Sequence, residues 1–233
     1  MKTNNVTWSE ILDKVGQHEV RKGIHSFINP YSMLKLEHER DVGEQVDYWY
    51  IDGISLLNKA NKILNKDFSR FSFDETSLAP VVFGWAKRNN VRVAIVGTTP
   101  EYIEKAVLAI QQRFSIHISY YRNGYFTDNT EKCKVYETIV KKKIDLIVCG
   151  MGTPNQEKFL LGLREYGWNG VGYTCGGFLH QIAKKQNYYP KIFDKLNLRW
   201  LYRIIDEPKL FKRYFGLYPI FFIKLYFFIK RSR

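Results

Sequence analysis

The sequence predicts an α/β protein: a Rossmann-like parallel sheet with helices on both faces, followed by a helical, basic and aromatic C-terminal appendage. Apolar, β-branched runs such as "VRVAIVG" and "IDLIVCG" alternate with stretches whose apolar residues recur at helical spacing, the pattern of repeated β-α units. The runs show no polar alternation, as strands covered on both faces do not. Charge sets the appendage apart. Eleven of the 36 Lys/Arg but only three of the 23 Asp/Glu follow Pro190, so the last 43 residues hold +8 of the net +13.

The elements follow in order. "GIHSFINPYSMLKL" predicts a short strand broken at Asn29-Pro30 and then a helix. "VDYWYIDGISLLNKANKILN" predicts a strand running into Asp52-Gly53 and a second helix. Val91 to Gly97 reads as a strand, and "TTPEYIEKAVLAIQQRF" as a helix behind a Thr and a Pro in its first turn. "SIHISYY" with "TEKCKVYETIVKKK", "IDLIVCG" with "TPNQEKFLLGLREYG", and "NGVGYTCGG" with "FLHQIAKK" complete three further units. After Pro190 the pattern changes to helical segments dense in Arg, Lys and aromatics. The expected division is an α/β domain over residues 1-187 and a membrane-associating appendage over 188-233.

Composition narrows the class of partner. A chain of 233 residues with 45% hydrophobic and 16% aromatic content builds an extensive core, which excludes a disordered protein. The positive balance points to an anionic partner. The three cysteines, Cys133, Cys149 and Cys175, form no C-x-x-C pair, so neither a disulfide framework nor a zinc site is expected. "MKTNNVTWSEILDKVG" lacks the apolar centre of a secretory leader, which places the expected location inside the cell. "YFGLYPIFFIKLYFFIK" is intensely apolar but interrupted by Pro219 and Lys224 and shorter than the roughly 20 residues of a spanning helix. It reads as an interfacial segment, with Lys224, Lys230, Arg231 and Arg233 meeting anionic lipid.

In an open parallel sheet, ligands settle beyond the carboxyl ends of the strands, where helix N-termini present free N–H groups. "IVGTTPE" and "VCGMGTPNQE" both occupy such places. In the second, Gly150 and Gly152 permit close approach of a diphosphate, and Thr153, Asn155, Gln156 and Glu157 crowd the turn with polar groups. Two readings stand side by side. Thr153 with Gln156 three residues on, and Pro154 between, is the pattern of a capping box. One cap needs only one such side chain, so Asn155, Gln156 and Glu157 together point to a ligand. "GMGTPN" is not G-x-G-x-x-G, and a dinucleotide site is not indicated.

"GMGTPNQE", the earlier "YIDG" and the closing "YYPKIFDKLNLRWLYRIIDEP" resemble motifs of the WecG/TagA/CpsF family of bacterial glycosyltransferases. The resemblance runs from about Gly23 to Tyr214, with the three motifs in the family's order. It implies transfer of a sugar from a UDP-sugar to a polyprenyl-diphosphate-linked acceptor in cell-surface polysaccharide synthesis. It further implies peripheral attachment at the cytoplasmic face of the plasma membrane, no metal or cofactor, and inversion. Asp52 occupies the place of the family's proposed catalytic base, and Asn29 a place near the sugar site.

The chemistry runs in the same direction. Displacing UDP requires a base for the acceptor hydroxyl and cations for the leaving diphosphate. No D-x-D occurs, so the cations are expected from side chains: Arg70, Arg199, Arg203, Lys212 and Arg213 are the candidates, assigned to the acceptor's diphosphate. Arg199 and Arg203 share a helix face at i, i+4 spacing. Two departures from the family pattern leave the donor sugar open: Tyr188-Tyr189-Pro190 stands in place of R-A-P, and "GVGYTCGGF" in place of G-V-G-G-x-F-D. The alternatives are a nucleic-acid-binding module, disfavoured because cations and aromatics are confined to the terminus, and a noncatalytic membrane-associated assembly partner. A homo-oligomer remains open.

Overall fold

The computed structural model describes residues 6–184 and 199–232. The expected domain boundary and the Tyr188-Tyr189-Pro190 departure lie outside the described residues. Six parallel strands form one sheet in the order β2-β1-β6-β5-β3-β4. They are β1 (Gly23–Ile28), β2 (Tyr48–Ile51), β3 (Val93–Gly97), β4 (Ile118–Arg122), β5 (Leu146–Gly150) and β6 (Val171–Thr174). β3 and β5 are buried at every position, which is why they read as unbroken apolar runs.

One face of the sheet is covered by α1 (Val6–Asp13), α2 (Pro30–Leu36), α3 (Arg40–Gln45), α4 (Ile54–Leu64), α7 (Asn129–Lys141) and α8 (Asn155–Glu165). The other is covered by α5 (Leu78–Arg88), α6 (Pro100–Phe114) and α9 (Phe178–Lys184). The strand alternation divides the side chains accordingly. Ile24, Ile28, Trp49 and Ile51 enter the first core, whereas Phe27 and Tyr173 enter the second. On that second face His25 stacks on Tyr173 with ring centroids 4.3 Å apart and hydrogen-bonds Tyr50 Oη at 2.9 Å.

Neighbouring strands that send their helices to opposite faces leave a crevice at the carboxyl edge. β1 leads to α2 on the first face and β6 to α9 on the second, so one crevice opens between them. β5 leads to α8 on the first face and its neighbour β3 to α6 on the second, so another opens there.

The C-terminal segment comprises α10 (Arg199–Asp206), a 3-10 turn (Pro208–Leu210), a π-helical turn (Lys212–Leu217) and α11 (Tyr218–Ser232). Interfacial placement of the whole segment is corrected in part. Phe221 and Leu225 of α11 are buried in the first core, and Phe221 packs on Trp8 of α1 with centroids 5.2 Å apart. Lys224, expected to meet lipid, instead pairs with Glu37 beyond the end of α2. The opposite side of α11 exposes Ile220, Ile223, Tyr226 and Phe227. Among the described residues no helix is long and apolar enough to cross a membrane.

Candidate active site

The site is assembled from strand ends. The β1/β2 register pairs Ile28 with Ile51, so the next residues, Asn29 and Asp52, emerge side by side. Asp52 N donates to Ile28 O at 2.9 Å, which ties the two ends together. Gly53 follows because the space is absent: a Cβ there would lie 3.1 Å from Asn29 Cβ and 3.1 Å from Pro30 Cδ. Asn29 caps α2, its Oδ1 accepting from Tyr31 N at 3.0 Å and Ser32 N at 3.1 Å.

Asp52 lines a cavity of about 690 Å³ in the crevice between β1 and β6. Gly152, Thr153 and Gln156 line the same cavity from β5, and Thr174, Cys175 and Gly176 from β6. The "DG" turn and the "GMGTPNQE" turn, about a hundred residues apart in the chain, therefore face one space.

Arg70 reaches this space because the segment carrying it runs beside β2, with Phe71 N donating to Ile51 O at 3.1 Å. The sequence places it among the diphosphate-binding cations; it lines the cavity and is also tied to Asp52. Arg70 Nη2 donates to Asp52 Oδ1 at 3.0 Å and Nε to the Asp52 carbonyl at 2.7 Å. Both the carboxylate and its backbone are thereby fixed in place.

Arg213, on the π-helical turn, enters from the opposite side. Its Nη2 donates to Asn29 Oδ1 at 3.1 Å and its guanidinium lies 4.1 Å from the centre of the Tyr31 ring. Among the described residues Arg213 has no ion pair, and its Nε is buried without a hydrogen-bond partner. A cavity-lining guanidinium with an unmet donor has spare capacity to bond an acceptor in the cavity. Tyr218 beside it is pushed above the ordinary phenol range, first by burial, with Asp52 adding in the same direction and Arg213 opposing. The remaining cation candidates divide. Lys212 is exposed and does not line the cavity, and the side chains of Arg199 and Arg203 lie outside the described residues.

The capping-box reading of Thr153 is corrected. Helix α8 begins at Asn155, the Thr153-Pro154 peptide is cis, and Pro154 occupies the cap position without a side-chain cap. Gln156 N bonds Gly152 O at 3.0 Å, while the Thr153 hydroxyl donates to Glu157 Oε1 at 3.1 Å. Glu157 was expected to meet the donor, yet it is wholly buried and does not line the cavity. Gln156 is 3% exposed at the cavity floor, both amide hydrogens engaged by Thr153 and Glu157.

A second cavity, of about 830 Å³, fills the crevice between β3 and β5 and extends to the end of β4. Gly150 and Asn155, expected with the others, line this one, with Thr98, Thr99 and Lys158. Its floor depends on Gly97, whose φ is +148° and where a Cβ would lie 2.4 Å from Gly150 O. Tyr125, 65% exposed, stands at its rim. Sequence reasoning set "IVGTTPE" on the ligand edge but did not join it to Gly150 and Asn155, and it did not name Tyr125. Among the described residues no three His, Cys, Asp or Glu side chains converge as metal ligands.

A wound parallel sheet that holds a braced carboxylate and a cavity-lining arginine around one crevice, with a glycine turn between that crevice and the next, has the layout of an α/β enzyme. The model of the "Glycosyl transferase WecG/TagA/CpsF family" matches residues 1–233, and the chain belongs to that family of glycosyltransferases. It is 37% identical over 203 residues, 87% of this chain and 85% of the relative, to the UDP-Gal:alpha-D-GlcNAc-diphosphoundecaprenol beta-1,4-galactosyltransferase of Shigella boydii.

Proposed function

We propose that the protein transfers a hexose from a UDP-sugar to a sugar carried on polyprenyl diphosphate, with Asp52 as general base. The observation that carries this reading is the shared cavity: Asp52 on one wall, Arg213 on another, and the Gly152-Thr153 turn between them and the second cavity. The acceptor hydroxyl attacks the anomeric carbon as the bond to the UDP oxygen breaks. Its proton passes to the Asp52 carboxylate and then to solvent, and UDP departs past the Gly150-Thr153 turn and the α8 end, leaving Arg213 to face the acceptor's diphosphate. Single displacement with one base predicts inversion. The products are a lipid-linked glycoside and UDP, with no cofactor consumed.

The donor spans both crevices. Its sugar lies in the Asp52 cavity, its diphosphate passes the Gly150-Thr153 turn, and its uracil enters the second cavity, where the exposed Tyr125 ring offers a stacking face. The relative named above is a UDP-galactose enzyme acting on a GlcNAc-diphosphoundecaprenol, which makes UDP-galactose the first donor to test.

The lipid-linked acceptor brings the chain to the cytoplasmic face of the membrane as a peripheral protein. Supporting this are the exposed Ile220, Ile223, Tyr226 and Phe227 on α11, with Phe215 and Leu217 on the preceding turn, in a basic segment. Incubation with a panel of UDP-sugars and a polyprenyl-diphosphate-linked sugar, read by mass of the lipid product, tests the reaction. One hexose added with UDP released is the expected result; no product with any donor contradicts it.

A further inference from the structure

We propose that Glu157 is a positioning residue for the transfer site, its buried Oε1 holding the Thr153 and Gln156 side chains against β1 and the end of β6. This rests on the transferase reading above. Glu157 Oε1 accepts from Ser26 Oγ at 2.7 Å, from Gln156 Nε2 at 3.0 Å and from Thr153 Oγ1 at 3.1 Å. Ser26 lies in the middle of β1, 131 positions away in the chain.

The hydrogen bonds run in one direction. Because the Ser26 hydroxyl donates to Glu157, its 2.8 Å contact with Thr174 Oγ1 must be received from the Thr174 hydroxyl. Because both Gln156 amide hydrogens are engaged by Glu157 and Thr153, its Oε1 turns toward β6 and accepts from Gly176 N at 3.2 Å. Thr153, Gln156, Thr174 and Gly176 all line the Asp52 cavity. One acceptor atom therefore orders four lining groups drawn from the turn after β5, from α8, from the end of β6 and from the turn beyond it, and anchors them to β1.

Stability alone does not call for this arrangement. A buried carboxyl is costly unless both oxygens are satisfied, and an apolar side chain of similar size closes a core with less penalty. Here Oε2 is buried with no partner among the described residues, while three donors crowd Oε1. Burial pushes the carboxyl above its ordinary range, and the bonds from Gln156, Ser26 and Thr153 oppose the rise. A half-satisfied acid kept directly beneath a cavity floor is the mark of a group retained for geometry.

The test compares Glu157→Leu and Glu157→Gln in the full-length protein, with circular dichroism to verify the fold and steady-state transfer kinetics. Leucine removes the acceptor; glutamine keeps a carbonyl oxygen in its place. The expected result is a fall in kcat of about 100-fold for Glu157→Leu, with a smaller change in donor KM, and recovery of most of the rate in Glu157→Gln. A folded Glu157→Leu with native kcat overturns the proposal, as does a Glu157→Gln as slow as the leucine variant. Should Glu157→Leu fail to fold, Ser26→Ala carries the test: about a tenfold loss of kcat supports the proposal, and native kcat overturns it. A native protein that transfers no sugar overturns the transferase reading and this inference with it, whereas native activity with unaffected variants overturns this inference alone.

Discussion

Arg70 holds Asp52 at two points, its Nη2 3.0 Å from Oδ1 and its Nε 2.7 Å from the backbone carbonyl. The brace predicts a specific kinetic signature. Arg70→Ala frees the carboxylate to turn, and kcat is expected to fall about 100-fold while donor KM changes little. Arg70→Lys restores little of this, since a single ammonium cannot reproduce a two-point fork. Steady-state kinetics with varied UDP-sugar separate the two parameters; a loss confined to KM contradicts the brace.

Tyr125 presents an exposed ring at the mouth of the second cavity. If uracil stacks there, Tyr125→Ala weakens UDP binding by about 1–3 kcal/mol and Tyr125→Phe does not. Calorimetric titration with UDP measures both. Equal affinity across native and alanine proteins contradicts the donor pose.

The two sides of α11 predict opposite phenotypes. Phe221, fully buried against Trp8, is a core residue, and Phe221→Ala is expected to destabilise the protein by about 3–5 kcal/mol. Ile223 and Phe227 are exposed, so the double change to serine leaves the melting temperature close to native. That double variant is expected to lose sedimentation with vesicles containing anionic lipid. Retained sedimentation contradicts the membrane face.

Two histidines on the second face of the sheet set an acid limit. Burial is the main cause that lowers both His18 and His25 to about 4; the Arg21 charge lowers His18 further, whereas at His25 the hydrogen bond to the Arg21 carbonyl opposes part of the fall and the nearby His18 adds to it. The unfolded chain, with histidine near 6.5, binds more protons than the folded one between these values, so stability rises with pH through about 4 to 6.5 and declines as pH falls through that window. His25, wholly buried, contributes at most about 3 kcal/mol of this dependence. Urea midpoints from pH 4 to 7 measure it; a flat profile contradicts the assignment.

Much of this architecture was legible because it is local. Buried strands leave unbroken apolar runs, and glycines at strand ends mark where the chain turns, so both "YIDG" and "GMGTPNQE" were placed on the ligand edge. What escaped depends on distance in the chain. Nothing near Glu157 signals that Ser26 will meet it, so a buried acid looked like a ligand contact. Lys224 looked like a lipid contact because Glu37, its partner, is 187 positions away. Arg70 looked like a free cation because only the pairing of its segment with β2 reveals the aspartate it holds. The second cavity needs the strand order, which sets β3 beside β5 and which periodicity does not supply.

Asp52 is expected to take the acceptor's proton beside a donor bound across the Gly150-Thr153 turn. The most direct measurement is the turnover of Asp52→Asn, by UDP release under saturating substrates, paired with its affinity for UDP. The expected kcat is lower by about 10²–10⁴ with UDP affinity essentially unchanged. An Asp52→Asn protein turning over at the native rate would contradict it.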